Sequence, residues 1–394
     1  MDNFRVEKIT VGNLVEFART ALTDKAAFPF IPITPDRAIA QANNPAATND
    51  DIGLIVVFNN DVLIAYRGFM PCRVIIDEKI HKIYTPTTFY ILPEYRRKLI
   101  FEGHTVAAYI HTEFFKLGYD GFLTGSNLRS QRFYRSDKRF TAIPSLSYMR
   151  IRTGWVSPVT SLLKKLSQRI PLKHRQSFLL RLCTFCSKGI DRIIHMILKP
   201  LLTPAAGDDY SDIECIKVDR ISKPTVGVNE LSSKGEISSH RDESTINWMI
   251  KYPWVLNDHC YITSYFFAKP RERFEFLAYQ IFHKKSRINI GFAVFSISTA
   301  AGYTTLKILD YETYESNSQS HVLKLALDIS MKEGVNVIEG SIDFWNYVEG
   351  RFLLRWIIGR YKRSYFAWGK KGGVFEKHLF KFRLKYSDCD TPYT

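Results

Sequence analysis

The sequence predicts a mixed α/β protein built from two copies of one α/β domain, which a basic helical insert joins. The chain has 394 residues, enough for two or three domains of ordinary size. Short motifs recur in one order at offsets of 212 to 217 residues. Between the two copies lies a basic segment with helical periodicity. The expected domains are therefore residues 1–152, 153–212 and 213–394.

Composition excludes several classes of protein. Hydrophobic residues make up 45% and charged residues 24%, with 28 Phe and 21 Tyr, which indicates a globular chain and excludes a disordered or fibrous one. Six scattered Cys do not form a disulfide framework. The N-terminus has no apolar core of signal-peptide length, and no run approaches the roughly 18 apolar residues of a membrane span. These features predict a cytoplasmic protein.

The elements of the first copy follow in a readable order. Residues 5–10 predict a strand and residues 11–22 a helix; the polar segment PDRAIAQANNP follows, in which a second helix is expected. Three apolar strands come next, and Asn59, Asn60 and Asp61 predict a hairpin turn between the first two. A helix over residues 103–116, the strand GFLTG, a further helix and the strand TAIPSLSYMRI complete the copy.

The repeat rests on three matches. FRVEKIT near the start corresponds to IKVDRIS after the insert. Residues 87–104 align without a gap with residues 304–321, and a helical pattern, a short apolar run and Gly-Ser follow in each copy, ending at Ser126 and Ser341. Matches in one order at nearly one offset favour a duplication. The alternative is two unrelated α/β domains with similar turns.

The basic segment over residues 150–200 has eleven Lys or Arg and one acid, Asp191. Its leucines and isoleucines recur at three- and four-residue spacing, which predicts amphipathic helices. Two interpretations remain open. The helices could lie on an anionic membrane surface at the inner face of the membrane, or their apolar stripe could bridge the two copies. The aromatic residues follow the same helical spacing, so no nucleic-acid partner is expected.

A cationic turn follows an apolar strand of the first copy in the sequence ILPEYRRKLI. Arg96, Arg97 and Lys98 lie between that strand and a helix, where free backbone N–H groups and the helix dipole favour anions. The turn could hold a pyrophosphate, or it could simply be solvated.

This segment and NLRSQRFY downstream resemble the GCN5-related N-acetyltransferase (GNAT) superfamily. Pro93, Tyr95 and Arg96 match the family's V-x-P-x-Y-R motif, and a second motif is matched by Asn127, Ser130, Phe133 and Tyr134. The resemblance implies two tandem GNAT-like acyl-CoA N-acyltransferase domains with acetyl-CoA, or another acyl-CoA, as cofactor. It implies that the cofactor contacts the following residues: Tyr90, Ile91, Leu92, Arg96, Arg97, Lys98, Leu99, Ile100 and Asn127. The family's loop glycines are replaced by Leu99 and Phe101.

The resemblance also implies catalytic roles. Tyr134 is expected to protonate the leaving thiolate, since the family's second motif supplies a Tyr for that step. An amine must also lose a proton before it attacks a thioester. The strand TPTTFYIL carries no carboxylate, and Glu94 just beyond it is the candidate base.

The second copy is expected to have lost CoA binding. The ungapped alignment puts Thr313, Tyr314 and Glu315 at the positions of the three cations, and Glu349 at that of Tyr134. An acidic turn would repel a pyrophosphate. This copy should then act as a wall, a substrate surface or a scaffold.

The segment INWMIKYPWV resembles a group of bacterial tandem GNAT-like proteins associated with surface-polysaccharide synthesis. That likeness implies an amino-sugar acceptor, and Trp248, Tyr252 and Trp254 could stack on a sugar face. The alternative is an aromatic helix packed in a core.

Two functions are therefore carried forward. One is an acyl-CoA-dependent N-acyltransferase with a small-molecule or glycan amine as acceptor. The other is a catalytically inactive binding or scaffold protein of the same tandem fold. No metal is expected, since Cys183 and Cys186 form a single CxxC without two further ligands at regular spacing.

Overall fold

The computed structural model describes residues 3–101, 103–126, 128–153, 212–223, 236–255, 265, 271–300, 302–313, 318–347, 357–386 and 388–389. Of the predicted insert only Thr153 and Asp212 are among them, so both interpretations of that segment stay predictions. The chain forms two compact units. Unit 1 comprises Met1–Leu146, Asn229–Pro270 and Arg363–Thr394, and unit 2 comprises Ser147–Val228 and Arg271–Lys362.

Unit 1 begins with β1 (Phe4–Thr10), α1 (Leu14–Thr23) and α2 (Pro35–Ala42). The strands β2 (Ile52–Asn59), β3 (Val62–Ile76) and β4 (Lys79–Ile91) follow as antiparallel neighbours. The hairpin predicted at Asn59–Asp61 forms, with Asn60 and Asp61 at positive φ. The long connection after β4 contains the short strands β5 (Leu99–Phe101) and β6 (His104–Thr105). It is followed by α3 (Val106–Phe115), β7 (Gly121–Ser126), α4 (Leu128–Ser136) and β8 (Thr141–Arg152). The second half of β8 belongs to unit 2.

The central strands of unit 1 are apolar on both faces because helices cover both. Along β2, Ile55 and Val57 pack in the same cluster as α3, whereas Leu54, Val56 and Phe58 pack with α1 and α2. This alternation is what a period of two produces in a strand buried on both sides. The near-continuous apolar run of β2 therefore reflects a sheet between two helical layers.

Besides the second half of β8, unit 2 contains β9 (Ile213–Val218), β11 (Arg273–His283), β12 (Asn289–Ala300) and β13 (Tyr303–Thr313), which are antiparallel neighbours in that order. The helix α6 (Ser318–Glu333) then leads to β14 (Val337–Ser341), which pairs in parallel with β13. The core of unit 2 joins the two layers: Phe295 and Ile297 of β12 cluster with Val322 and Ala326 of α6. Both units thus contain parallel and antiparallel pairs, and the protein is a mixed α/β protein with large mixed sheets.

The remaining elements come from the second half of the sequence but belong wholly or partly to unit 1. They are β10 (Ile237–Ser239), α5 (Glu243–Lys251), β15 (Ile358–Gly369), α7 (Val374–His378) and β16 (Phe382–Arg383). Ser364 to Gly369 of β15 pair with β7 in unit 1, and Tyr148 to Arg152 of β8 pair with β14 in unit 2. Each unit therefore contains a strand from the other half of the sequence. The compact units accordingly do not follow the sequence boundaries 1–152, 153–212 and 213–394.

The two units repeat one order of strands, but the ungapped alignment of their fourth strands does not hold. Ile91 ends β4 opposite Ala65, and Thr313 ends β13 opposite Gly291. The connection to the next helix has 14 residues in unit 1 (92–105) and four in unit 2 (314–317). Thr313 is consequently a strand residue equivalent to Ile91, and not the counterpart of Arg96. The ungapped alignment was wrong because the two segments match at both of their ends, and those matches do not reveal that the connections between strand and helix differ in length.

Within the described residues, no helix has the length and apolar character needed to cross a membrane.

Candidate active site

Two neighbouring strands of unit 1 part in the middle of the sheet. Among the described residues, β4 pairs with β7 only at Tyr84↔Phe122, although β4 continues to Ile91 and β7 to Ser126. We call residues 85–91 and 123–126 the strand wedge. The Thr124 hydroxyl reaches across it to the Pro86 carbonyl at 3.4 Å. Because main-chain groups inside a sheet need partners, the wedge can accept an extended chain that carries amide groups.

A β-bulge lies on the β3 side of the same stretch. Arg67 faces Phe89 and Phe69 faces Pro86, so that Thr87 and Thr88 together oppose Gly68. A Cβ on Gly68 would come within 2.6 Å of the Thr87 Oγ1 and 2.8 Å of the Thr88 Oγ1, and the bulge therefore requires glycine there. The Thr87 Oγ1 is buried and has no hydrogen-bond partner among the described residues. Leaving such a group unsatisfied costs about 1–3 kcal/mol, which a ligand could recover.

The predicted backbone contacts Tyr90, Ile91 and Leu92 lie at the end of β4. Tyr90 and Ile91 keep their register with β3, and the Leu92 N–H donates to the Ile64 carbonyl at 2.9 Å. The β-bulge of β4 lies before them, at Thr87 and Thr88. The β7-facing edges of Tyr90 and Ile91 nevertheless belong to the strand wedge.

The cationic turn is exposed and turns toward the start of β1. Tyr95, in a 3₁₀ turn with Pro93 and Glu94, accepts a hydrogen bond from the Asn59 side chain at 3.1 Å. The Lys98 ammonium lies 5.8 Å from the centre of the Phe4 ring, and the Arg96 Nε donates to the Ile91 carbonyl at 3.2 Å. Arg97 is exposed, as are Glu94 and Leu99, whereas Ile100 is half-buried. The loop is thus held beside β1 and β2, while α3 is capped separately by the Thr105 hydroxyl.

Tyr134 of α4 is buried and hydrogen-bonded to a residue that the sequence did not single out. The Arg67 Nη2 donates to the Tyr134 Oη at 2.6 Å, and each residue is 4% exposed. Phe366 stacks on the Tyr134 ring at 5.4 Å and Phe140 meets it edge-on at 4.9 Å. The Arg67 guanidinium also lies over the Phe89 ring at 5.1 Å. In the described part of the chain no carboxylate pairs with Arg67, so a buried positive charge lies directly beside the proposed acid.

A buried histidine, His111 of α3, lies near this pair. Burial lowers the pKa of His111 to about 3, and the Arg67 charge acts in the same direction. Its imidazole is therefore neutral at physiological pH. It packs among the rings of Phe89, Phe114 and Phe140.

A pocket opens on the face of the unit 1 sheet that carries α2 and α5. Its empty volume is about 720 Å³, part of which is open to solvent. Thr85 and Leu123, which line it, are the first wedge residue of each strand. The other walls come from β3, α5 and the C-terminal residues Asp388 and Cys389.

The predicted aromatic cluster divides between this pocket and the core. Trp248 lines the pocket, and its indole N–H donates to the Ala40 carbonyl at 2.7 Å. The Tyr252 hydroxyl donates to the Asn43 side chain at 3.1 Å. Trp254 is 6% exposed and packs with Ala40 and Met70. Trp254 therefore has the surroundings of a core aromatic, whereas Trp248 can contact a ligand.

Unit 2 has an equivalent wedge with different chemistry. Within the described part of unit 2, β13 pairs with β14 only at residues 305–307, and a bulge at Leu309 matches the one at Thr87. Asp310 and Glu312 occupy the register positions of Thr88 and Tyr90, and Glu312 forms an ion pair with Lys223 at 3.1 Å. Tyr314, Glu315 and Glu349 lie outside the described residues, as does Asn127 in unit 1. Loss of CoA binding in this copy therefore stays a prediction.

The region around Cys183 and Cys186 is likewise outside the described residues. Within the described ranges, no cluster of three His, Cys, Asp or Glu side chains is arranged to hold a metal ion.

Arg67 and the pocket were missed by the sequence analysis. Arg67 is a charged residue inside the apolar run VLIAYRGFM, and a lone charge in a buried strand is the signal that could have found it. The pocket joins residues as far apart in the sequence as Asn44, Leu123 and Cys389, and no local pattern marks it.

Comparison with known proteins gives structural likenesses only. No protein-family model matches the sequence, and no curated protein does. A GCN5-related N-acetyltransferase from Anabaena variabilis superposes with a TM-score of 0.45 at 12% identity, over 93% of this chain and 72% of its own. A probable N-acyltransferase from Enterococcus faecalis gives 0.47 at 11% identity, over 95% and 74%. N-myristoyltransferase of Saccharomyces cerevisiae with bound myristoyl-CoA gives 0.48 at 11% identity, over 93% and 82%. At these scores the functional assignment rests on the chain's own residues.

Proposed function

We propose that this protein is an acyl-CoA-dependent N-acyltransferase whose cofactor site is the strand wedge of unit 1. The observation that carries the proposal is the parting of β4 and β7 after Tyr84↔Phe122. The pantetheine arm of CoA is an extended chain with two amide groups, and such a chain can pair with the strand edges that face the wedge. The unpartnered Thr87 Oγ1 supplies a further group that a ligand could satisfy.

The cationic turn and Tyr134 supply the rest of the proposed site. Arg96, Arg97 and Lys98 would attract the phosphates of CoA, since all three are exposed just beyond the wedge. Tyr134 would return a proton to the leaving thiolate. Its hydroxyl accepts a hydrogen bond from the Arg67 guanidinium at 2.6 Å, and a neutral phenol carries the O–H proton that this step needs. The general base is proposed as Glu94, an exposed residue next to the end of β4.

The acceptor is proposed to be a small-molecule or glycan amine that approaches from the pocket at Thr85 and Leu123. An amino sugar of the surface-polysaccharide type is one candidate, since the Trp248 ring lines that pocket. We place the reaction in the cytoplasm, with or without contact to an anionic membrane surface.

Release of free thiol from acetyl-CoA, measured with a panel of amines, tests this function. We expect thiol release that requires an amine and falls about 10²-fold in Tyr134→Phe, the usual contribution of a general acid. Binding of CoA without amine-dependent thiol release from any acyl-CoA would instead favour the inactive binding protein.

A further inference from the structure

We propose that the unit 1 pocket binds the apolar body of the acceptor, an amine that carries an aliphatic chain or ring rather than a polyhydroxylated sugar. The identification of the bound molecule as the acceptor rests on the proposed function. The binding preference of the pocket follows from its own walls.

The pocket lies next to the proposed cofactor site. Thr85 and Leu123 form part of its lining, and each comes directly after the residue at which β4 and β7 stop pairing. A molecule in the pocket is therefore adjacent to the strand wedge.

Its walls are apolar and polarisable. The side chains that contribute most of this character are Met70, Cys72, Ile246, Trp248, Met249 and Cys389. Methionine adapts its shape to irregular apolar ligands, and free Cys behaves as a small apolar group. Burial raises the pKa of Cys72 to about 12, so this thiol stays neutral and offers no anion.

The charges around the pocket are already paired. Arg73 forms an ion pair with Asp242 at 3.2 Å, and Arg241 forms one with Asp388 at 3.3 Å. Asp388 also accepts from the Ser239 hydroxyl at 2.6 Å and from the Lys385 backbone N–H at 2.7 Å. The charges of these two arginines and two aspartates thus offset one another, and the lining further holds the imidazole of His240 and the thiols of Cys72 and Cys389.

Two neutral polar side chains of the lining also form hydrogen bonds within the protein. The Asn44 amide donates to the Pro71 carbonyl at 2.9 Å, and the Thr245 hydroxyl donates to Asp242 at 2.6 Å. A sugar loses its bonds to water on binding and needs several replacement partners. An apolar ligand loses few hydrogen bonds to water when it binds, and it gains the free energy of burying its apolar surface against the pocket walls.

Trp248 gives the pocket one rigid wall. Its indole N–H is held by the Ala40 carbonyl, and its ring lies 5.7 Å from the buried ring of Trp254. A fixed aromatic face binds a flat or aliphatic group with little loss of conformational freedom.

Calorimetric titration of the full chain with n-octylamine and with D-glucosamine tests the proposal. Both probes are amines and differ in the body attached to the nitrogen. We expect octylamine to bind and glucosamine to bind at least about ten-fold more weakly, the difference that two buried methylene groups can supply. Comparable or tighter binding of glucosamine would overturn the inference.

Two substitutions locate the binding. Ala46→Trp should fill the pocket and weaken octylamine binding by about ten-fold or more, whereas Ala42→Trp, at an exposed position at the end of α2, should not change it. Met249→Gln keeps the wall's shape and makes it polar, and should also weaken binding, so the result does not depend on one variant. Octylamine binding that neither Ala46→Trp nor Met249→Gln alters would place the ligand elsewhere and refute the proposal. Octylamine binding without amine-dependent thiol release from any acyl-CoA would refute the proposed function and leave the pocket assignment standing.

Discussion

At the scale of single residues, the hydrogen bond between Arg67 and Tyr134 has the clearest mechanistic consequence. A tyrosine that gives its proton to a thiolate becomes a phenolate, and a buried cation at 2.6 Å stabilises that anion strongly. Arg67 would act through Tyr134, as a positioning residue that does not touch the substrate. Its own burial without a paired carboxylate among the described residues is costly for folding, as is common at functional sites.

We predict that Arg67→Met lowers turnover by about ten-fold or more, the value of one hydrogen bond to a charged group, while CoA affinity is unchanged. Arg67→Lys should restore part of the activity. The double variant Arg67→Met/Tyr134→Phe should be no slower than Tyr134→Phe alone, because Arg67 has nothing left to act on. Steady-state kinetics with calorimetric CoA titration measures both quantities; fully additive losses in the double variant would show that Arg67 acts independently.

The second residue-scale prediction concerns pH. His111 titrates near pH 3 in the folded chain and near 6.5 in the unfolded one, so the unfolded state binds the extra proton first as pH falls. Its neutral form therefore stabilises the fold above pH 6.5, and this contribution is lost between pH 6.5 and pH 3, by up to about 1.4 kcal/mol per pH unit. His111→Phe should flatten the dependence of unfolding free energy on pH in that window.

Urea denaturation at a series of pH values measures this slope. His104→Phe, at an exposed position, serves as the matched control and should keep the wild-type slope. An unchanged slope in His111→Phe would mean that other groups dominate acid destabilisation.

At the scale of elements, the bulge in β4 shapes the wedge. Thr87 and Thr88 fit opposite Gly68 only because that residue has no side chain. The same register irregularity occurs in β13 at Leu309, where Val294 and Phe295 flank it. A feature kept in both units, with unrelated side chains, belongs to the backbone design of the fold.

We predict that Gly68→Ala lowers the unfolding free energy by about 1–3 kcal/mol, because its Cβ would collide with two threonine hydroxyls. Gly125→Ala is the matched control in β7: its nearest neighbour, the Tyr365 Cε1, would be 3.4 Å away, and the change should be small. Chemical denaturation of both variants tests this; equal stability of the two would show that the bulge relaxes without cost.

The sequence predicted most of these elements and few of their contacts. The hairpin at Asn60 and Asp61 followed from turn chemistry, and the strands followed from apolar runs. The register of β13 could not be predicted from the sequence. The connection after β13 has four residues and the one after β4 has 14, and an ungapped alignment of short matching segments does not reveal this difference. Trp248 of α5 and Trp254 beyond it could not be placed, because their packing against Ala40 and Met70 joins segments some 200 residues apart, for which periodicity gives no information.

At the scale of the whole molecule, the two units share the same order of strands, but the wedges between their strands differ in charge. Unit 1 combines neutral Thr and Tyr positions with an exposed cationic turn, whereas unit 2 has Asp310 and Glu312 at the matching register. Phosphate groups favour the first environment and are repelled by the second. We therefore propose that the unit 1 wedge, and not the unit 2 wedge, binds an anionic cofactor.

Calorimetric titration of the full chain with CoA tests that conclusion most directly. We predict one CoA per chain, and no detectable binding to the Arg96→Glu/Arg97→Glu variant. Arg19→Glu/Lys25→Glu makes the same change in net charge at exposed positions of unit 1 outside the cationic turn, and should bind CoA as the wild type does. Two CoA molecules per chain, or binding that survives the double substitution in the cationic turn, would contradict the assignment.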